Sequence, residues 1–243
     1  MSDRVLTAAQ QPSLPSSCAQ AQYFEFGKLD PDEVSKRGSR SWFVRTQSFA
    51  VAYTQVVDSE CIERRNQPDE YVVLLASDDL SLEITTAAGE VTVRGQSVVI
   101  IPPGHSALRV QGGGEIVRLF SLRSPDVLAR CRNAAVYDRP DPNVAPYRPW
   151  PTPTGAPQPR IYPVGAVEPD PDRFGRIYRC STLMVNYMYP EDGPRDDTSL
   201  TPHAHDDFEQ CSLTLCGDYV HHVRTPWTPR LADWRDDEHV LCS

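Results

Sequence analysis

The stretch Tyr71-Val-Val-Leu-Leu-Ala-Ser-Asp-Asp-Leu-Ser-Leu-Glu-Ile-Thr85 decides the fold. It begins with the short apolar run Tyr71–Leu75, passes through a polar turn, and ends in Ser81–Thr85, where apolar and polar residues alternate. A short apolar run is typical of a strand buried on both faces, and strict alternation is typical of a strand with one face in the core. The stretch therefore predicts two consecutive β-strands.

The same pattern extends in both directions, from Trp42 to Leu122, with turns marked by Gly, Pro and Asp. The further strands predicted here are Ser48–Val57, Val91–Arg94, Ser97–Ile101 and Glu115–Leu122. Only Pro125–Asn133 favours a helix. Short strands at this spacing indicate an all-β sandwich or barrel, which we place at residues 41–135 after a lead-in at 1–40.

Composition excludes several classes of function. The chain has 243 residues, a net charge of −9 and no basic run, so nucleic acid and anionic membrane surfaces would repel it. No apolar run approaches the ~20 residues of a membrane span. The polar segment Met1–Gln22 lacks the features of a secretory signal and favours a disordered tail. The seven cysteines lack close Cys-x-x-Cys spacing, which favours free thiols and a cytoplasmic protein.

Residues 136–171 contain 11 of the 23 prolines and are predicted to form an irregular linker. Its aromatic and aliphatic residues, including Trp150 and Ile161, are expected to anchor it to a surface. Residues 172–243 then repeat the order of the first half, with predicted strands at Arg176–Tyr189, Cys211–Leu215 and Tyr219–Val223. We therefore predict an internal repeat with a second barrel.

Five of the six histidines lie in the last 41 residues. Because residues alternate faces along a strand, His203 and His205 are predicted to point the same way and to bind one divalent metal ion, namely Fe, Mn, Ni or Zn. Glu209 and Gln210 are the candidates for a third ligand. On a regular strand, Glu209 shares a face with Cys211 and Leu213, and the apolar face of a barrel strand is usually the inside, which favours Glu209. A metal cavity is partly polar, which favours Gln210. Strand parity therefore leaves both open.

The segment resembles the first motif of the cupin superfamily, which has His-x-His, three or four residues, Glu or less often Gln, six residues and Gly. His203, His205, Gln210 and Gly217 match this motif with four and then six intervening residues, so the resemblance favours Gln210 over Glu209. It implies two tandem cupin-type jelly-roll barrels, the second incomplete. In the first half, Pro102, where the second cupin motif would begin, lies 32 residues after Glu70, and the same interval counted from Gln210 reaches the C-terminus. The second motif supplies the fourth ligand in cupins, so that ligand is expected outside this chain or at His239.

The first half resembles a degenerate cupin. Glu70 falls at the position of the motif's acid, while Arg64 and Arg65 lie near the two histidine positions. Contact with an acidic ligand is one interpretation of these two arginines, but they are expected to be solvated surface charges. Pro102-Pro103-Gly104-His105 is similar to the second cupin motif, but His105 comes early. This half is therefore expected to bind no metal.

Other polar residues of the second half are candidates for substrate binding, because their strands are expected to flank the histidine segment. They are Tyr187, Tyr219, His222 and Arg224. The resemblance implies a metal-dependent enzyme that acts on a small polar metabolite, either a sugar-acid isomerase or ring-opening enzyme or an Fe(II) oxygenase. The alternative is a non-catalytic cupin that binds a sugar or small carboxylate. A small-molecule substrate is the expected partner, and a homodimer is compatible with this class.

Overall fold

A computed structural model describes residues 21–170, 173, 175–193, 205, 207–222 and 239–242. These residues fall into two compact units. One consists of Asp30–Asp138 and Tyr147–Pro190, and we call it the barrel unit; the other holds the remaining described residues. None of the described residues forms a helix that is long and apolar enough to cross a membrane.

The regular secondary structure of the barrel unit consists almost entirely of β-strands. They are β1 (Glu33–Val34), β2 (Arg40–Arg45), β3 (Phe49–Val56), β4 (Cys61–Gln67), β5 (Tyr71–Leu75), β6 (Ser81–Thr86), β7 (Gly89–Arg94), β8 (Ser97–Ile101), β9 (Gly104–Gln111), β10 (Gly114–Ser121), β11 (Arg160–Pro163), β12 (Gly175–Arg179) and β13 (Met184–Met188). Its helical segments are α1 (Pro125–Leu128) and the 3₁₀ turns Ala134–Tyr137 and Val164–Ala166. The all-β class predicted from the sequence is confirmed.

Two antiparallel sheets form a sandwich. The larger has the order β1-β2-β3-β10-β5-β8-β11, and the smaller has the order β4-β9-β6-β7. From β3 to β10, consecutive strands belong to opposite sheets, except that β6 and β7 form a hairpin within the smaller sheet. The first of these strands, β3, pairs with the last, β10, over the full length of both. This connectivity is that of an eight-stranded jelly roll.

The core lies between the two sheets. Every residue of β5 and β8 is buried, which agrees with the apolar runs that predicted them, and β6 alternates between buried and partly exposed positions. Tyr71 stacks on Phe120 across neighbouring strands, with ring centroids 5.0 Å apart. Stacking of this kind stabilises the fold by about 1 kcal/mol beyond the free energy gained by burying the two rings.

The proline-rich segment 136–171 is not irregular throughout, because it contributes β11 to the edge of the larger sheet. β11 pairs with β8 from Arg160↔Ile100 to Pro163↔Ser97. Proline is tolerated at such a site since an edge strand has one side that needs no ladder hydrogen bond. Ile161 packs against the core, as its apolar character predicted.

The predicted strand Arg176–Tyr189 is a hairpin, β12 and β13, and not one long strand. The turn between them is fixed locally, because the backbone N–H of Cys180 donates to the carbonyl oxygen of Leu183 at 3.0 Å. A second hairpin joins β14 (Tyr219–His222) to β15 (His239–Cys242). The predicted second barrel remains a prediction, since much of residues 194–238 lies outside the described part of the chain.

Candidate functional site

The predicted metal segment lies in the second unit and is described only in part. His203 and Arg224 are outside the described residues. His205 is partly buried and lies against Phe208, with ring centroids 4.0 Å apart. Glu209 is partly buried and Gln210 is exposed. Within the described residues no three His, Cys, Asp or Glu side chains converge, and the ligand set that includes His203 stays a prediction.

The argument from strand parity does not apply to this segment. Residues 209–214 are described and belong to none of the ladders, so the predicted strand Cys211–Leu215 is wrong. Alternation of faces requires extended, paired backbone, and without it Glu209 and Gln210 need not point to opposite sides. The choice between the two as third ligand therefore rests on the spacing of the motif alone.

The predicted substrate-binding residues fall into both units. Tyr187 lies on β13 in the barrel unit and is partly buried. Tyr219 lies on β14 in the second unit and is 43% exposed. His222 belongs to β14, where its Cα position is paired with that of His239 on β15. The adjacent His221 approaches the Ser212 hydroxyl, with 3.3 Å between Nε2 and Oγ.

Arg64 is not a solvated surface charge, which corrects the sequence expectation. It is 8% exposed and lies on β4, the strand that carries the predicted degenerate motif. Its guanidinium donates to Gln67 Oε1 and forms an ion pair with Asp126 on α1. It also lies over the ring of Phe120 at 5.1 Å. Arg65, by contrast, is exposed as expected and pairs with Glu63.

Gln67, the partner of Arg64, connects it to a wider network of buried hydrogen bonds. Gln67 Nε2 donates to Asp69 Oδ1 at 3.1 Å and to Ser124 Oγ at 3.0 Å. The Ser121 hydroxyl donates to the other oxygen of Asp69. Buried polar groups are stable when each has a partner, and these contacts supply them. The network therefore joins β4, β10 and α1.

Glu70, which the resemblance placed at the position of a metal-binding acid, has other partners. Its side chain is 5% exposed, and its two oxygens accept hydrogen bonds from the Arg160 guanidinium and the Ser181 backbone N–H, both at 2.7 Å. Burial alone would raise the pKa of Glu70, but these hydrogen bonds and the charge of Arg160 hold it below its usual range. Glu70 thus ties β5 to β11 and to the turn of the β12–β13 hairpin.

Tyr71, the next residue, is the one that faces the core. Its hydroxyl lies 2.9 Å from Ser106 Oγ on β9. Neighbouring residues of a strand point to opposite faces, so Glu70 and Tyr71 cannot both line the interior.

A cavity of about 260 Å³, partly open to solvent, lies beside this interior face. Its lining includes Arg64 and Phe120, together with Arg118 on β10 and Thr54 on β3. Arg118 is 5% exposed, and its Nη2 donates to Thr54 Oγ1 at 3.1 Å. The Thr54 hydroxyl in turn lies 3.0 Å from Ser41 Oγ.

Sequence reasoning missed Arg118, although a signal was present. In the predicted strand Glu115–Leu122, Arg118 shares its parity with Ile116 and Phe120, which are both in the core. One charge among inward-facing apolar positions indicates either a buried ion pair or a ligand-binding group. The parity of Arg118 with these two core residues therefore identifies it as a candidate site residue from sequence alone.

Comparisons with known proteins give similarity to solved structures only. No protein-family model matches the chain, and no curated protein matches it. Among solved structures, KdgF from Halomonas sp. is 13% identical, with 44% of this chain and 98% of that chain covered and a TM-score of 0.37. An RmlC-like cupin from Shewanella frigidimarina NCIMB 400 is 12% identical, with 44% and 96% covered and a TM-score of 0.34.

An oxalate decarboxylase from Lactobacillus farciminis is 14% identical, with 43% of this chain and 34% of that chain covered and a TM-score of 0.34. Identities and scores this low carry no argument about activity, so the fold assignment rests on strand order. By that criterion, the barrel unit is a jelly roll, the architecture that cupins share with other all-β proteins.

Proposed function

We propose that this protein is a metal-dependent enzyme of the cupin type that acts on a small polar metabolite. The observation that carries the proposal is the spacing of His203, His205, Gln210 and Gly217. Two imidazoles and one side-chain oxygen form a donor set suited to a divalent ion with open coordination positions. The described members of the set, His205 and Gln210, lie in the same compact unit.

The third ligand affects the chemistry. A glutamine oxygen is neutral, so two histidines with Gln210 leave more positive charge at the site than two histidines with Glu209. A bound divalent ion would supply Lewis acidity, which polarises a carbonyl or lowers the pKa of a hydroxyl. Such chemistry suits an isomerase or ring-opening enzyme for a sugar acid, and a site loaded with Fe(II) suits an oxygenase.

Turnover tests the proposal directly. Purified protein is supplied with Fe, Mn, Ni or Zn and mixed with a panel of sugar acids, keto acids and phenols. Reaction is followed by proton NMR and by oxygen uptake. We expect turnover by the wild type and by His105→Ala, since His105 is an exposed residue of the barrel unit, and loss in His203→Ala. Equal turnover in all three proteins would contradict the assignment.

A second candidate function is non-catalytic binding of a sugar or small carboxylate. The barrel unit favours it, because in its described residues no three metal-binding side chains converge, while polar side chains line its cavity. Binding of a panel compound without turnover, at full metal loading, would support this candidate over the enzyme.

A further inference from the structure

Arg118 carries a buried charge that is in direct contact with no acid of the described residues. In the described residues, no ion pair includes Arg118, and its Nε has no hydrogen-bond partner. Within the described part of the chain its guanidinium forms one hydrogen bond, from Nη2 to Thr54 Oγ1. Burial lowers the pKa of Arg118 to about 10, which leaves the side chain cationic at neutral pH.

An unpaired buried guanidinium is costly, because transfer out of water removes solvation that nothing replaces. The buried charge of Arg64, on β4 of the opposite sheet, is compensated by three partners, namely Asp126, Gln67 and the Phe120 ring. The Nε–H of Arg118 has no equivalent partner in the described residues. Its surroundings are therefore complete only with an additional acceptor.

The cavity has space for that acceptor, and its other charges are already engaged. Among the lining residues, Arg130 pairs with Glu33, Glu63 pairs with Arg65, and Glu60 accepts the Ser35 hydroxyl. Among the arginines of the lining, Arg118 is thus the one that lacks an ion pair in the described structure, since Arg64 and Arg130 each have one. The Ser41 and Thr54 hydroxyls extend its polar surface.

We propose that this cavity binds the carboxylate of a small organic acid, with Arg118 as its anchor. A guanidinium presents parallel N–H groups that match a carboxylate. One carboxylate matches the single guanidinium of Arg118, whereas Glu60, a lining acid outside the ion pairs of the described residues, opposes the second charge of a phosphate. Phe120 and Ile62 provide apolar surface for a short carbon chain. The proposal rests on the second candidate function, binding of a small carboxylate by the barrel unit, and is independent of the metal site proposed for the second half.

Titration with formate, acetate, propionate and succinate tests this site. Binding is measured by calorimetry and by the NMR signal of the Arg118 Nε–H, which is assigned by its absence in Arg118→Met. Propionamide, which has no charge, and inorganic phosphate are run beside them. We expect saturable binding of at least one carboxylate with movement of that signal, and weaker or no binding of propionamide and phosphate.

The variants separate the anchor from general effects of charge. Arg118→Met should abolish binding, and Arg118→Lys, which keeps the charge but loses the paired N–H groups, should weaken it about tenfold to a hundredfold. Arg65→Gln, which removes an exposed arginine, is the matched control and should bind as the wild type does. His203→Ala should also bind normally, which distinguishes this site from the proposed metal site.

Thermal unfolding without ligand gives a second measurement. Arg118→Met should melt at a higher temperature than the wild type, since it removes an uncompensated buried charge, and carboxylate should no longer raise its melting temperature. The proposal is overturned by absence of carboxylate binding, by preference for phosphate, by unchanged binding in Arg118→Met, or by loss of binding in His203→Ala. A lower melting temperature for a folded Arg118→Met would assign the arginine a structural role instead.

Discussion

At the residue scale, two arginines that line one cavity differ in how their charges are compensated. Arg64 reaches the carboxylate of Asp126, the amide of Gln67 and an aromatic face. Arg118 reaches one hydroxyl. The difference follows from position, because β4 ends beside α1, where Asp126 lies, while Arg118 sits mid-strand between apolar neighbours. Of these two arginines, Arg118 is therefore the one with a guanidinium N–H left without a partner in the described residues.

Glu70→Gln tests the buried ion pair with Arg160. The variant should lose about 2 kcal/mol of unfolding free energy at pH 7, because an amide cannot accept both hydrogen bonds without presenting its NH₂ to a donor. The pKa of Glu70 is depressed in the folded state, so its stabilisation is present above the ordinary value of 4.5 and is lost as pH falls below it.

Chemical denaturation between pH 3 and 7 measures this effect. The difference between the wild type and Glu70→Gln should narrow as the pH falls toward 3, because protonation of the wild-type carboxylate progressively removes its charge. Glu83→Gln is the control, since Glu83 is partly exposed and lies 3.9 Å from Arg109, and it should change stability little at any pH. A constant difference across the range would contradict the role given to Glu70.

At the element scale, sequence pattern predicted some strands and missed others for physical reasons. β5 and β8 are covered on both faces, so their apolar runs predict them with the observed bounds. β4 carries the sequence Cys-Ile-Glu-Arg-Arg-Asn-Gln, in which a charged residue faces inward and Asn66 has a φ of 57°. Its ladder with β9 also shifts register between Arg64 and Gln67. Local periodicity cannot reveal a strand whose interior is polar.

Gly175→Ala tests the β12–β13 hairpin. A Cβ at Gly175 would lie 2.9 Å from the carbonyl oxygen of Tyr187 and closer still to Asn186, so the hairpin must shift. We expect a loss of about 1–3 kcal/mol and faster amide hydrogen exchange in Met184–Met188. Gly165→Ala, where no atom lies within 4 Å of the added Cβ, should leave both quantities unchanged. Equal effects at the two glycines would argue against this packing.

At the scale of the whole molecule, the two halves differ in how far sequence reasoning could take them. The all-β sandwich or barrel followed from strand spacing, and its jelly-roll form from the resemblance. Its cavity followed from neither, because Arg118, Thr54 and Ser41 come together only through the pairing of β2, β3 and β10. The second half showed its chemistry in a local motif, whereas its ligand geometry depends on His203, which lies outside the described residues.

The metal content of the purified protein tests the central claim most directly. Elemental analysis is made on the wild type, on His203→Ala and on His105→Ala, all prepared in parallel. We expect roughly one Fe, Mn, Ni or Zn ion per chain in the wild type and in His105→Ala, and strong depletion in His203→Ala. Equally low metal content in the wild type and in His203→Ala would contradict the proposed metal site.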